Sequence, residues 1–204
     1  MNKLKIGIVD YGIGNQSSIQ NCLKSIGFKT LISNEIEILE ESQILLLPGV
    51  GAFEPSMTLL KRKKLDKYII EKGESEKPII GICLGMQLLA TKSNENGIHS
   101  GLNLIPGTVE QLSKNNKFHI GWNSVKVLKK NNFYESKDKY FYFNHSYAFK
   151  TLKDYSICST KFDEIEFNSV IKKNKMVGVQ FHPEKSQEEG KKFLFDLIHG
   201  LANA

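Results

Sequence analysis

Arginine is almost missing from this chain of 204 residues: Arg62 is the only one, and lysine supplies all the other positive charge behind a formal net charge of +6. Lysine is less suited than arginine to reading guanine or phosphate, because it lacks the planar, bidentate guanidinium group. The lysine clusters are therefore interpreted as solvated faces of helices and hairpins, and nucleic acid is not expected as a partner. A basic rim still favours encounter with an anionic partner protein or a phosphorylated substrate.

Cysteines and long apolar runs are scarce as well. Cys22, Cys83 and Cys158 are an odd number without C-x-x-C spacing, which argues against a disulfide framework and against a structural zinc site. No apolar run approaches the length of a membrane span, and residues 6–9 are too few for a signal sequence. We expect one domain over residues 1–204, in the cytoplasm, without a metal and without membrane contact.

The first half of the chain has the pattern of alternating strands and helices. Residues 4–9 predict a strand that ends in a glycine-rich turn, and apolar residues then recur at helical spacing. The turn contains Gly12 and Gly14, but Ser17 stands where a dinucleotide fingerprint has its third glycine, so no nucleotide cofactor is expected. The run at 44–47 predicts a central parallel strand buried on both faces.

The second half predicts short strands followed by a helix from about residue 187 to residue 201. The predicted strands lie at residues 108–112, 124–128, 140–143, 156–159 and 169–172. We interpret them as antiparallel additions to a parallel sheet. The predicted fold is a three-layer α/β domain, in which helices flank a mixed, mostly parallel sheet.

The pentapeptide Gly81-Ile82-Cys83-Leu84-Gly85 has the pattern of a nucleophile elbow. It follows an apolar run at 78–80 and precedes a helix predicted over 84–91. A side chain on such a sharp strand-to-helix turn is presented at the carboxyl edge of a sheet, and the turn needs neighbours without bulk. The amino end of the helix favours a thiolate at Cys83. The alternative is a small buried cysteine that only packs in a glycine-rich turn.

The segment after residue 181 supplies a base for that cysteine. Residues 177–181 predict a strand, and Pro183 keeps His182 in an extended conformation. Residues two apart in an extended chain share a face, so Glu184 is expected to reach the imidazole of His182 and fix its tautomer. The alternative is a solvated histidine beside a glutamate that caps a helix.

A turn at Pro48-Gly49-Val50-Gly51 follows the central strand at the same predicted sheet edge as Cys83. Backbone N–H groups in such a turn are free to point at an anion. We therefore predict an oxyanion hole made by the amides of Val50, Gly51 and Leu84. The alternative is an ordinary turn at the end of a strand.

Five segments in this order and spacing resemble the class I, triad-type glutamine amidotransferases: 48–53, 81–87, 119–123, 145–147 and 180–186. Within that family, the opening 10–15 and the Gly121-Trp122-Asn123 block are similar to the glutaminase subunits of imidazole glycerol phosphate synthases. The resemblance implies a flavodoxin-like sheet. It also implies hydrolysis of L-glutamine to glutamate and ammonia, without a cofactor.

The resemblance also implies roles for individual residues. Cys83 attacks the glutamine carboxamide, His182 moves the proton and Glu184 orients His182. The substrate-binding residues that it implies are Gly49, Gln87, Glu95, His145, Ser146 and Tyr147. For both Gln87 and Glu95 the alternative is a polar residue on the exposed side of a helix, without a role in binding.

A partner follows from the resemblance as well, because ammonia is soon protonated in water and the chain has no room for an acceptor domain. In the family the acceptor is a separate (β/α)8-barrel synthase subunit of histidine biosynthesis, which forms a heterodimer with the glutaminase. Asn15, Trp122 and Lys185 match positions near that contact surface. The alternative for Trp122 is a place in the core.

The sequence departs from the family pattern at Phe118, Ile120 and Asn144. These positions are expected on the side that faces the partner, so the sequence leaves open which acceptor receives the ammonia. One alternative is a paralogous glutaminase that feeds ammonia to an amidotransferase of surface-sugar biosynthesis. Two others are a cysteine hydrolase of the same fold that is not an amidotransferase, and a catalytically silent scaffold subunit.

Overall fold

A computed structural model describes residues 4–112, 118–131, 133–134 and 139–203, in which strands and helices alternate over the first half. The helices are α1 (Gln16–Ser25), α2 (Ile36–Glu40), α3 (Phe53–Arg62), α4 (Leu65–Glu74), α5 (Leu84–Leu88) and α6 (Gln187–Ala202), with a 3-10 turn at Pro183–Lys185. The strands are β1 (Lys5–Val9), β2 (Lys29–Ser33), β3 (Ile44–Leu47), β4 (Ile79–Ile82), β5 (Ala90–Ser93), β6 (His99–Ser100), β7 (Ile105–Gln111), β8 (His119–Val127), β9 (Lys139–His145), β10 (Tyr147–Thr151), β11 (Ser156–Phe162), β12 (Ile165–Lys173) and β13 (Met176–Val179).

The main sheet has nine strands in the order β2-β1-β3-β4-β13-β12-β11-β8-β9. The first five strands of that order run parallel, and β12, β11, β8 and β9 continue the sheet with antiparallel pairings. Every residue of β3, β4 and β13 is buried, as expected for parallel strands that are covered on both faces. The predicted mixed sheet is thereby confirmed, but parallel pairings do not predominate in it, since four pairings are parallel and four antiparallel.

Helices cover both faces of this sheet. Apolar residues of α1 and α6 pack in one core cluster, and those of α3, α4 and α5 pack in the other. The amphipathic spacing of α6 explains its place, because Phe193, Leu194, Leu197 and Ile198 lie on the buried side of the helix. The three layers predicted from the sequence are therefore present.

The register of the parallel strands gathers three distant segments at one edge. Leu47 of β3 pairs with Gly81 of β4, and Gly81 pairs with Gly178 of β13. All three strands then end within a few residues and point the same way. The turn after β3, the elbow after β4 and the His-Pro-Glu segment after β13 consequently emerge side by side.

Two expectations from the sequence are wrong in detail. The elbow helix was expected over 84–91, but α5 ends at Leu88 and Ala90 already begins β5. The strand expected at 108–112 corresponds to β7, which joins a separate four-stranded sheet in the order β10-β7-β5-β6. Ala90 pairs with Ile105 of β7, so the chain leaves the helix at this point and enters the second sheet, in which β7 also pairs with β10.

Helices α3 and α4 were not located from the sequence pattern. They pack through residues such as Phe53, Leu60 and Ile69 against the face opposite α1. No helix in the described ranges is long and apolar enough to cross a membrane.

The close approach of Gly85 to the end of β3 supplies a prediction. A Cβ placed on Gly85 would lie 1.9 Å from the carbonyl oxygen of Leu47, whereas one on Gly73 of α4 would meet only the side-chain ends of Leu104 and Met176. Gly85→Ala is expected to lower the free energy of unfolding by more than about 3 kcal/mol, because two backbones must separate. Gly73→Ala should stay within about 1 kcal/mol, since helix propensity offsets the repacking. Urea unfolding of both variants measures this, and equal losses would contradict the account.

Candidate active site

Cys83 lies on a strained turn between β4 and α5. Its φ of 52° and ψ of −110° are unfavourable for a residue with a side chain. Its amide donates to the carbonyl oxygen of Val179 at 2.8 Å, which ties the turn to the end of β13. A Cβ on Gly81 would lie 2.7 Å from the carbonyl oxygen of Gly85, so the turn closes only because these residues are glycines. This is the geometry of a nucleophile elbow.

His182 lies next to both the sulfur and a carboxylate. Its Nδ1 lies 2.8 Å from Glu184 Oε1, and its ring is close enough to Cys83 for the sulfur to act on its pKa. The side chains of His182 and Glu184 are 2% and 1% exposed. Because a carboxylate only accepts, Nδ1 is the donor to Glu184, and Nε2 is left for the sulfur.

The electrostatics of this group favour a charged imidazole. Burial alone lowers the pKa of His182, but the Cys83 sulfur and the Glu184 carboxylate outweigh it and raise the pKa to about 10. Glu184 Oε2 is buried without a hydrogen-bond partner in the described part of the chain, so His182 is the group that neutralises this carboxylate. A protonated imidazole beside Cys83 in turn favours the thiolate.

Backbone contacts with β9 hold the His-Pro-Glu segment in place. The amide of His182 donates to the carbonyl oxygen of Tyr142 at 2.8 Å, and Ser186 Oγ donates to the carbonyl oxygen of His182 at 2.6 Å. His182 is extended, as predicted, with φ −100° and ψ 92°. The expected reason for the Glu184 contact is wrong, however: β13 ends at Val179, and Glu184 reaches the imidazole from the 3-10 turn.

A cleft of about 540 Å³ opens above Cys83 and His182. It brings together most of the residues that the sequence predicts for the site, namely Val50, Gly51, Leu84, Gln87, Glu95, His145, Ser146 and Tyr147. Gly49 lies behind this lining, where a Cβ would be 2.7 Å from the amide nitrogen of Gly85. Gly49 therefore allows the turn to approach the elbow.

The turn at 48–51 is held at Pro48 by a hydrogen bond and is open to the cleft at Gly51. Tyr11, which the sequence analysis did not single out, is buried and donates its hydroxyl to the carbonyl oxygen of Pro48 at 2.8 Å. Burial raises the pKa of Tyr11, so it stays a neutral donor. Gly51 has φ +95°, and a Cβ there would contact nothing within 4 Å. An anion can thus approach the backbone at Gly51.

Glu95 and Gln87 both face the cleft, and both also form hydrogen bonds with other residues of the chain. Glu95 Oε2 accepts from the amide of Phe53 at 2.8 Å, at the first turn of α3, and burial raises the pKa of Glu95. Gln87 is 4% exposed, so the alternative of an exposed helix position is wrong. Its Nε2 donates to the carbonyl oxygen of Tyr147 at 2.8 Å and to Gln180 Oε1 at 3.1 Å.

Two buried histidines form a directed chain of hydrogen bonds beside the cleft, which the sequence analysis missed. His145 Nδ1 lies 2.9 Å from the carbonyl oxygen of Tyr147, so it must donate, and Nε2 accepts from His119 Nδ1 at 3.1 Å. His119 Nε2 then accepts from Asn123 Nδ2 at 3.1 Å. Burial lowers the pKa of His119 to about 4 and that of His145 to about 3, so both rings are neutral.

The residues predicted for a partner contact lie near the triad. Trp122 is 47% exposed, so the alternative of a core position is wrong. Its ring meets Tyr142 edge-on at 6.3 Å, and Lys185 Nζ lies 5.7 Å from the centre of the Tyr142 ring. Phe118 and Ile120, on the same strand side as Trp122, are 65% and 62% exposed. We call these five residues the aromatic face.

Asn15 lies apart from that cluster in sequence and caps α1 without a side-chain hydrogen bond to the helix. It follows β1, whose carboxyl end points to the same sheet edge as those of β3 and β4. Among the residues that the structure describes, no group of three or more His, Cys, Asp or Glu side chains is arranged to hold a metal ion.

Comparison with known proteins places these features in a family. The family model for glutamine amidotransferase class-I matches residues 7–200. The chain is 40% identical over 193 residues to the imidazole glycerol phosphate synthase subunit HisH of Lactococcus lactis subsp. lactis, covering 93% of this chain and 96% of that protein. It is 42% identical over 199 residues to the imidazole glycerol phosphate synthase subunit HisH 2 of Methanococcus maripaludis, covering 95% and 98%.

Solved structures resemble the fold over nearly its whole length. A crystal structure of a glutamine amidotransferase superposes with a TM-score of 0.78 at 17% identity and covers 98% of this chain and 99% of that one. The structure of PurLQS from Thermotoga maritima gives a TM-score of 0.75 at 19% identity, covering 97% and 98%. At such identities the likeness supports the fold alone.

The neutral histidine pair predicts acid sensitivity of the fold. Because the pKa values of His119 and His145 are lowered on folding, the stability they contribute is present above about pH 6.5 and is lost as the pH falls towards 4. The free energy of unfolding is expected to fall by up to about 1.4 kcal/mol per pH unit for each histidine. His182, whose pKa is raised, changes stability at higher pH instead.

Urea unfolding at several pH values between 6.5 and 5 measures this slope. His119→Gln keeps a donor for His145 Nε2 but removes one titrating ring, so its slope should be about half that of the wild type. Identical slopes would rule out the neutral pair as the cause.

Proposed function

Because the chain belongs to the class I glutamine amidotransferase family, we propose that it hydrolyses the side-chain amide of L-glutamine to glutamate and ammonia. The observation that carries this proposal is the buried His182–Glu184 pair, whose imidazole lines the same cleft as Cys83. A thiolate, a base and an orienting carboxylate are the groups that acyl transfer from an amide requires.

The reaction follows from the arrangement of these three side chains. The Cys83 thiolate attacks the Cδ carbon of glutamine, and a tetrahedral anion forms. The imidazolium of His182 gives its Nε2 proton to the departing nitrogen, the C–N bond breaks, and ammonia leaves a γ-glutamyl thioester on Cys83. His182 is then neutral and takes a proton from water, which attacks the thioester and releases glutamate and the thiolate.

The tetrahedral anion needs donors on the side of the cleft opposite His182. We assign this role to the amides of Val50, Gly51 and Leu84, since these residues line the cleft beside Cys83 and the approach to Gly51 is open. Tyr11 and Glu95 support the turn from two sides through Pro48 and Phe53.

The same cleft offers polar groups for the amino-acid end of glutamine. We propose that Gln87, Glu95 and the segment from His145 to Tyr147 bind it, since all of them face the cavity. Gly49 contributes by letting the turn lie against Leu84. Glu95 carries the negative charge that an α-ammonium group needs, and the neutral His145 adds no competing cation.

The destination of the ammonia is proposed from the relatives and from the surface. The relatives are named as subunits of imidazole glycerol phosphate synthase, so we propose that this chain is the glutaminase subunit of such a heterodimer in histidine biosynthesis. The aromatic face and Asn15 are the proposed contact with its (β/α)8-barrel synthase subunit. An apolar, partly aromatic surface next to the triad fits a partner that receives a neutral, short-lived product. One domain over 1–204 and a cytoplasmic location remain predictions.

The residues on that face also fit a second kind of ammonia acceptor. Phe118 and Ile120 depart from the family pattern and are among its most exposed members. A different partner surface would be matched by such changes. The alternative is a glutaminase that supplies an amidotransferase of surface-sugar biosynthesis.

Replacing the nucleophile separates the two half-reactions. Cys83→Ala is expected to reduce glutamine-dependent product formation by the complex by about a thousand-fold or more, because no thioester can form. Product formation from added ammonium should be unchanged, since the acceptor site lies on the partner. Coupled assays with glutamine and with ammonium chloride measure both. Loss of both activities in a folded complex would refute the division of labour.

The aromatic face has its own test. Trp122→Ala should weaken binding of the barrel synthase subunit from the same organism by about 30-fold, the effect of removing a buried aromatic anchor. The matched control is Leu152→Ala, because Leu152 is 63% exposed but lies outside the aromatic face. Calorimetric titration measures both affinities, and equal affinities would place the interface elsewhere.

A further inference from the structure

Gln180 contacts the sulfur of Cys83, and the mechanism above gives it no role. It follows β13 directly and is fully buried, with 0% exposure. Its Nε2 lies 3.7 Å from Cys83 Sγ, within the distance of a hydrogen bond to sulfur. A buried amide beside a reactive sulfur is costly unless its donors are used, so this contact calls for an explanation.

The orientation of the Gln180 amide is fixed by its neighbours. Gln87 must direct its nitrogen at the carbonyl oxygen of Tyr147, because two oxygens cannot share a hydrogen bond without a donor. The second N–H of Gln87 then donates to Gln180 Oε1 at 3.1 Å. With its oxygen engaged in this way, Gln180 can only present its N–H groups to the sulfur.

The other groups around Cys83 Sγ do not replace this donor. His182 is the cation on one side, and the hydroxyl of Tyr11 at the end of β1 is engaged with Pro48. The carbonyl oxygen of Asn144, near the end of β9, lies 3.9 Å from the sulfur and accepts only from a thiol. Asn144 thus favours the neutral form, which an additional N–H donor opposes.

We propose that the side-chain N–H of Gln180 is a second donor to the Cys83 thiolate, which stabilises and positions the nucleophile. The inference deepens the proposed function, since it rests on Cys83 being the nucleophile. Gln180 acts on the sulfur itself, in contrast to Glu184, which acts through His182. A hydrogen bond to a charged acceptor is stronger than one to a neutral acceptor, so Gln180 favours the thiolate over the thiol.

The test is the pH dependence of the alkylation of Cys83 by iodoacetamide, read by peptide mass spectrometry. Burial raises the pKa of Cys22 to about 11 and that of Cys158 to about 12, so these two thiols react slowly near neutral pH, and the peptide that contains Cys83 is followed separately. Gln180→Met keeps the length and bulk of the side chain but removes the donor. Its alkylation midpoint should rise by about one pH unit relative to the wild type.

Two further variants keep the result interpretable. Ser169→Ala is the matched control, because Ser169 is the residue whose backbone carbonyl accepts from the amide of Gln180. The substitution removes only the buried Ser169 hydroxyl, which has no hydrogen-bond partner in the described ranges. Its midpoint should equal that of the wild type. If Gln180→Met does not fold, Gln180→Glu takes its place. That variant keeps the shape and an oxygen for Gln87, and its carboxylate should raise the midpoint further, by like-charge repulsion.

A midpoint within about 0.3 pH units of the wild type, in a folded Gln180→Met or Gln180→Glu variant, overturns the proposal. A rise in the midpoint that Ser169→Ala reproduces overturns it as well, because it reflects general loosening of the strand end. Alkylation needs neither glutamine nor a partner subunit. Failure here is therefore distinct from failure of the proposed glutaminase reaction, which the coupled assay reports.

Discussion

The close approach of the backbone at Gly85 to the carbonyl of Leu47 is the constraint on which the site depends. It holds the elbow against the end of β3 and places the turn at 48–51 beside Cys83. The register that pairs Leu47 with Gly81 and Gly81 with Gly178 supplies the frame, because a slip by one residue would turn the side chains at this edge to the other face. Three segments distant in sequence thereby become one catalytic edge.

Local chemistry explains which parts of this arrangement were predictable. The glycines around Cys83 and the proline after His182 restrict the backbone within a few residues, so the sequence indicates both turns. The length of α5 depended on the pairing of Ala90 with Ile105, which no local pattern encodes. The separate four-stranded sheet could not be predicted for the same reason, since the sequence pattern of a strand does not depend on which sheet the strand joins.

The residues that the sequence did not single out share one property: their roles are set by a backbone carbonyl opposite them. Tyr11 is an ordinary buried aromatic until Pro48 accepts its hydroxyl, and His119 gains its tautomer from a chain that ends on Tyr147. The role of Gln180 is likewise not visible in the sequence, because the orientation of Gln87 decides which end of the Gln180 amide faces the sulfur. Side-chain type alone carries none of this information.

The aromatic face and the triad are joined by Tyr142. Its ring contacts both Trp122 and Lys185, while its carbonyl oxygen accepts from the amide of His182. Lys185 belongs to the same 3-10 turn as Glu184. Tyr142 and Lys185 therefore connect the proposed partner surface to His182 and Glu184 through one residue each, so coupling between that surface and the triad would need no long path through the core.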